Sequence, residues 1–99
     1  MDRNEKPDLD LLFELADLFK VFGDSTRLRI MYAIADGEMS VLSIADALNM
    51  EQSTISHQLR VLRNNKLVRA RRDGKQIYYS LDDDHVKRMI KMGIDHLME

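Results

Sequence analysis

Residues 40–81 read SVLSIADALNMEQSTISHQLRVLRNNKLVRARRDGKQIYYSL, and the change of period inside this stretch decides the fold. Ser40 is a helix-capping residue, and Val41, Ile44, Ala45 and Leu48 recur behind it at helical spacing, so a short helix runs to Leu48. Leu48 to Glu51 is a tight turn. Gln52 to Asn64 follows as a longer helix, with Ile55, Leu59 and Leu62 facing inward and Gln52, Ser53, Thr54, Ser56, His57, Arg60 and Arg63 on its polar faces. Beyond it, Leu67 to Arg72 and Lys75 to Leu81 are rich in Val, Ile and Tyr and are separated by Asp73-Gly74. That dipeptide marks a two-residue hairpin turn whose two positions both take positive φ.

Two helices joined by a tight turn and followed by a basic hairpin describe a winged helix-turn-helix. In that architecture the second helix enters the DNA major groove and the hairpin reaches along the backbone. Gln52 has the chemistry to read adenine and Arg60 or Arg63 that to read guanine, while Ser53, Thr54, Ser56 and His57 suit bases or phosphates. Arg69, Arg71, Arg72 and Lys75 flank the hairpin turn and suit phosphates, which supply affinity and salt dependence but no direct reading of sequence. A polar helix face is ordinarily only solvated. Its place between a short helix and a basic hairpin favours double-stranded DNA.

Composition supports this. The net charge of -2 conceals a basic block: residues 51–75 hold seven Lys and Arg against two acidic residues, whereas residues 1–50 hold five against ten and residues 76–99 three against five. A local basic block in an acidic chain is the footprint of a nucleic-acid contact. The 99 residues contain no cysteine, which removes disulfides, thiolate catalysis and sulfur-rich metal sites. No stretch approaches transmembrane length and Met1 to Asp8 lacks an apolar signal core, so a cytoplasmic protein with no membrane partner is expected.

Outside the central stretch, Leu9, Leu12, Phe13, Ala16 and Phe19 form a helical stripe within Asp8 to Phe22, ended by Gly23. Asp24 and Ser25 can cap a second helix, with Leu28, Met31, Ile34 and Ala35 inward and Gly37 closing it. The last helix, Asp84 to Met98, carries Val86, Met89, Ile90, Gly93, Ile94 and Leu97 on one stripe. Met31, Met39, Met50, Met89, Met92 and Met98 read as packing residues. The only proline, Pro7, precedes the first helix.

Asp83 and His85 are followed by His96 and Glu99, two carboxylate and imidazole pairs on the last helix. Eleven residues of helix separate the imidazoles by roughly 16 Å, whereas two ligands of one metal ion lie within about 4 Å of each other. One chain therefore cannot close such a site. Antiparallel copies of the helix about a two-fold axis would bring His96 and Glu99 of one subunit against Asp83 and His85 of the other, giving a dimer with two metal sites. The same residues also read as a helix start favoured by the macrodipole and two surface histidines.

The segments Phe19-Lys20-Val21-Phe22-Gly23-Asp24-Ser25-Thr26-Arg27-Leu28-Arg29-Ile30, Gln52 to Leu62 and Tyr78-Tyr79-Ser80-Leu81 resemble the ArsR/SmtB family of metal-sensing bacterial repressors over nearly the whole chain. The resemblance implies a homodimer that holds operator DNA while metal-free and releases it on binding metal. The zinc-sensing branch has Asp-x-His, ten residues, then His-x-x-His or Glu on its C-terminal helix, which Asp83, His85, His96 and Glu99 match. The branch that senses arsenic, cadmium or lead uses Cys-x-Cys where this chain has Ser40 and Leu42. Zn(II), or Co(II) in vitro, is thus implied, and nickel, which recruits ligands from terminal extensions, fits less well.

The expectation is one mainly α domain (α+β class), 1–99, in the order ααααββα. Residues 8–22 and 83–99 are dimerisation helices, 40–64 the helix-turn-helix and 67–81 the wing. An enzyme is not expected, because four protein ligands leave a zinc ion no position for water. One rival reading keeps the DNA-binding domain and makes the last helix only a dimer seam.

Overall fold

The computed structural model describes residues 8–99; Pro7, expected ahead of the first helix, lies outside them. Five helices and three strands follow in the order α1 (Leu9–Phe22), α2 (Ser25–Ala33), β1 (Met39–Ser40), α3 (Val41–Leu48), α4 (Gln52–Asn64), β2 (Val68–Asp73), β3 (Gln76–Leu81) and α5 (Asp84–Met98). The strands form one antiparallel sheet in the order β1-β3-β2. Together they make a winged helix-turn-helix, with α3 and α4 as its two helices and the β2–β3 hairpin as its wing.

Short polar residues start four of the helices. The amide N–H groups of Leu11, Arg27, Ser43 and His85 donate to the side chains of Asp8, Asp24, Ser40 and Asp83, at 2.8, 3.0, 3.2 and 3.4 Å. Each such cap contributes about 1 kcal/mol. Two helices end in paired backbone bonds around a left-handed residue. After α3, Met50 N–H donates to Ala45 at 3.0 Å and Asn49 N–H to Asp46 at 3.3 Å, with Asn49 at φ 54°. After α4, Leu67 N–H donates to Leu62 and Lys66 N–H to Arg63, both at 3.0 Å, with Lys66 at φ 59°. This is the Schellman ending, normally built on glycine. Asn accepts the conformation readily; a lysine in it carries a steric cost of about 1–2 kcal/mol.

Three details depart from the sequence reading. The second helix stops at Ala33 and is not carried to Gly37, because Ile34 leaves helical geometry (ψ 6°) while its side chain stays buried in the core. The hairpin turn is Gly74-Lys75, flanked by the pair Asp73 and Gln76; only Gly74 takes positive φ (64°), so glycine is required at the first turn position alone. The two-residue strand β1 was not foreseen. It pairs Met39 with Tyr79 and Ser40 with Tyr78, fastening the start of the helix-turn-helix to the wing.

The core is wholly apolar: Ile30, Met31 and Ile34 from the α2 region, Ile44 and Ala45 from α3, Ile55, Leu59 and Leu62 from α4, Leu67 and Val68 entering the wing, and Val86 and Ile90 from α5. The terminal helices are bound to it on one side only. No residue of α1 is buried, and Leu9, Phe13 and Phe19 are 63, 60 and 56% exposed. On α5, Met92, Leu97 and Met98 stand 71, 84 and 79% exposed beyond Val86 and Ile90. No helix among the described residues is long and apolar enough to cross a membrane.

Candidate nucleic-acid interface and metal ligands

Ile55, Leu59 and Leu62 lie at i, i+4 and i+7 of α4, and their complete burial fixes the rotation of that helix about its axis. Gln52, Ser53, Ser56, His57, Arg60 and Arg63 are thereby held in solvent, with Thr54 half-buried toward α3.

Two arginines to which the sequence alone assigns no role hold α4 and α3 against the rest of the domain. Arg27 donates from Nε to the Val21 carbonyl (2.9 Å), from one terminal nitrogen to the Gln58 side chain (3.2 Å) and from the other to the Lys20 carbonyl (3.4 Å). It therefore closes the end of α1 and ties it to α4. Arg29 donates to the Leu48 carbonyl at the end of α3 (3.1 Å). No local signal marks them: they lie three and five residues after the capping Asp24, within α2.

In the wing, pairing sets which face each cation takes. Arg69 lies opposite Ser80 and Arg71 opposite Tyr78, on one face; Arg72 lies opposite Ile77, on the other. Arg71 differs from its neighbours in being engaged within the chain. Its guanidinium forms a two-bond fork on Glu38, lies 3.7 Å from Asp73 and sits 5.1 Å above the Tyr78 ring. Hydrogen bonding to Arg71 holds the Glu38 carboxyl below the usual carboxylate range.

The remaining cations divide sharply. Lys20, Lys87, Arg88 and Lys91 are paired with Asp17, Asp36, Asp84 and Asp95, and Arg27 and Arg29 are bonded to carbonyl groups. Among the described residues, those with no ion pair or side-chain hydrogen bond to the chain are Arg60, Arg63, Lys66, Arg69, Arg72 and Lys75. All six fall on α4, the wing and the corner between them. Such uncompensated charge at one face is what a polyanion recognises.

At the other end of the domain, Asp83 caps α5, and its carboxylate lies 3.2 Å from His85 Nδ1. The His85 backbone N–H, followed by the nearby imidazole, pulls the Asp83 carboxyl below its ordinary range. His96 and Glu99 are exposed at the far end of the same helix, i and i+3. No three His, Asp or Glu side chains among the described residues gather closely enough to hold a metal ion. The structure thus brings Asp83 and His85 together and leaves His96 and Glu99 as a separate pair. His57, exposed on α4, belongs to neither pair.

Comparison with known proteins agrees with this architecture. Residues 24–70 match the family model described as bacterial regulatory protein, arsR family. The chain is 43% identical over 91 residues to a transcriptional repressor SmtB homolog of Synechocystis, covering 92% of this chain and 69% of that protein. It is 38% identical over 87 residues to a cadmium resistance transcriptional regulatory protein CadC homolog of Staphylococcus aureus, covering 87% of this chain and 72% of that one. Among solved structures, the homodimeric winged helix-turn-helix DNA-binding domain of a possible ArsR-family regulator from Mycobacterium bovis superimposes with a TM-score of 0.86 at 31% identity, covering all of this chain and 92% of that one. With its α4 face, its wing and these relatives in agreement, the chain belongs to the arsR family of bacterial regulatory proteins, which are DNA-binding transcriptional regulators.

Proposed function

We propose that the chain is a metal-responsive transcriptional repressor that binds operator DNA as a metal-free homodimer and lets it go when a divalent cation, Zn(II) in the first place, binds between the two α5 helices. The observation that carries the DNA half is the confinement, among the described residues, of every uncompensated cation to α4, the wing and their corner. The α4 helices then lie in successive major grooves, with half-sites about one helical turn, or a multiple of it, apart. Gln52, Ser53, Thr54, Ser56, His57, Arg60 and Arg63 face the bases and adjoining phosphates, and Arg69, Arg72 and Lys75 follow the backbone.

The dimer is supported by the outward apolar side chains of α1 and α5, which stay exposed among the described residues. Burial of such faces contributes about 25 cal/mol for each Å² removed from water. Gly93, beside which an added Cβ would meet nothing within 4 Å, leaves room for another helix to approach.

The metal half rests on donor chemistry. Asp83 and His85 of one α5 with His96 and Glu99 of the other offer two imidazoles and two carboxylates, a set suited to Zn(II) or Co(II) without thiolates. Asp83 and His85 already stand 3.2 Å apart on the helix start. A cation held there supplies a crosslink between the α5 helices. Asp82, just before α5, donates its backbone N–H to the Leu67 carbonyl beyond the end of α4, a main-chain link through which α5 can act on the reading helix.

The test is a fluorescence-anisotropy titration onto a duplex from upstream of its own gene, with and without zinc, for wild type and His96→Ala. Zinc should weaken binding of the wild type alone. Binding that ignores zinc in both proteins would leave a winged-helix repressor whose α5 serves only dimerisation.

A further inference from the structure

A groove of about 730 Å³ separates α4 from the wing, lined by Ser56, Arg60, Arg63, Asn64, Lys66 and Tyr79. Three of these side chains are cations and none is acidic. None of the three is ion-paired among the described residues, and the Ser56 and Tyr79 hydroxyls and the Asn64 amide have no hydrogen-bond partner there. The groove therefore presents positive charge together with neutral donors, which is the chemistry that holds a phosphate group.

The backbone supplies a second, independent observation. Lys66 sits at φ 59° in the Schellman ending of α4. Both hydrogen bonds of that ending are made by main-chain groups, so glycine would close it equally well and without steric cost. The lysine side chain contributes nothing to the ending, yet the strained conformation places it at the mouth of the groove. Strain retained where the fold does not need it points to use of the side chain.

We propose that this groove is a trough for the DNA backbone, with Lys66 as its cationic anchor and Asn64 and Tyr79 as neutral donors to the same stretch of phosphates. This rests on the DNA-binding reading above and extends it to Asn64 at the end of α4, Lys66 in the corner and Tyr79 of the wing. Lys66 meets phosphate and not bases, so it adds affinity and salt dependence without changing sequence preference.

The test measures duplex affinity against salt from about 50 to 300 mM for wild type, Lys66→Gly, Lys66→Gln and Lys66→Arg, alongside thermal unfolding. Lys66→Gly should unfold at or above the wild-type temperature and still lose about 0.9 from the log–log salt slope for each lysine engaged. Lys66→Gln should lose the same slope, and Lys66→Arg should keep it. A slope unchanged in both the Gly and Gln variants overturns the proposal. A wild type that binds no duplex at any salt removes the DNA reading itself, and this is visible before any variant is compared. Titration with inorganic pyrophosphate separates the two sources of phosphate. Sub-millimolar binding lost in Lys66→Gln, with the DNA slope intact, would assign the groove to a soluble anion instead.

Discussion

The backbone N–H of Asp82 donates to the carbonyl of Leu67 at 3.0 Å, so the residue leading into α5 is fastened to the residue that ends the α4 corner. Leu67 is itself buried and its own N–H is bonded to Leu62 in α4. Two consecutive main-chain bonds thus join the start of the proposed metal-binding helix to the end of the proposed reading helix.

Asp82→Pro removes the donor while keeping Leu81 in the extended geometry that precedes proline. Zinc affinity should stay within about threefold of wild type, while the zinc effect on DNA affinity, commonly 1–3 kcal/mol in coupled systems, should shrink by about 1 kcal/mol. Calorimetric zinc titrations with and without DNA check this. A full zinc effect in the variant would send the coupling by another route.

The Glu38–Arg71 pair should make the wing sensitive to acid. The Glu38 carboxyl is held below its ordinary value of 4.5, so the pair stabilises the fold fully above that value and is lost as pH falls through the lower folded value. Arg71 Nε–H resonances followed by NMR should show this step, and Glu38→Gln should abolish it. A step that persists in the variant would belong to another carboxylate.

Arg27→Met keeps the apolar stem and deletes the donors to Val21, Lys20 and Gln58. Charged hydrogen bonds of this kind contribute about 1.5–3 kcal/mol, which lowers the unfolding temperature by roughly 4–8 °C for each kcal/mol in a domain of this size. A loss below 1 °C in a thermal melt would mean that the three contacts do not hold α4.

Phe13, 60% exposed on α1, has no role in the protomer core. Phe13→Asp should leave helix content by circular dichroism unchanged and shift sedimentation from dimer to monomer at micromolar concentration, with a loss of operator affinity of about 100-fold or more as the two reading heads uncouple. An unchanged sedimentation coefficient would remove α1 from the dimer seam.

Much of this was legible in the residues. The bounds of α4 follow from the spacing of Ile55, Leu59 and Leu62, and the wing from its Val, Ile and Tyr content. The pairing of Asp83 with His85 followed from a cap residue two positions ahead of an imidazole. What escaped depends on partners distant in sequence. Strand β1 is two residues long and exists only because Tyr78 and Tyr79 come alongside it. Arg27 and Arg29 look like ordinary helix-surface cations until the ends of α1 and α3 arrive beside them. Gly37 reads as a helix stop, but the helix ends earlier, where Ile34 leaves helical geometry and stays buried. The turn reading slipped by one residue because Asp-Gly marks a hairpin without fixing which two residues occupy its tip.

The segregation of free and compensated cations gives this molecule a front and a back. Asp10 and Glu14 on α1 and Glu99 after α5 are exposed, on elements that carry none of the free cations. A duplex is drawn toward the free cations of α4, the wing and their corner, so its orientation is selected before any base is read.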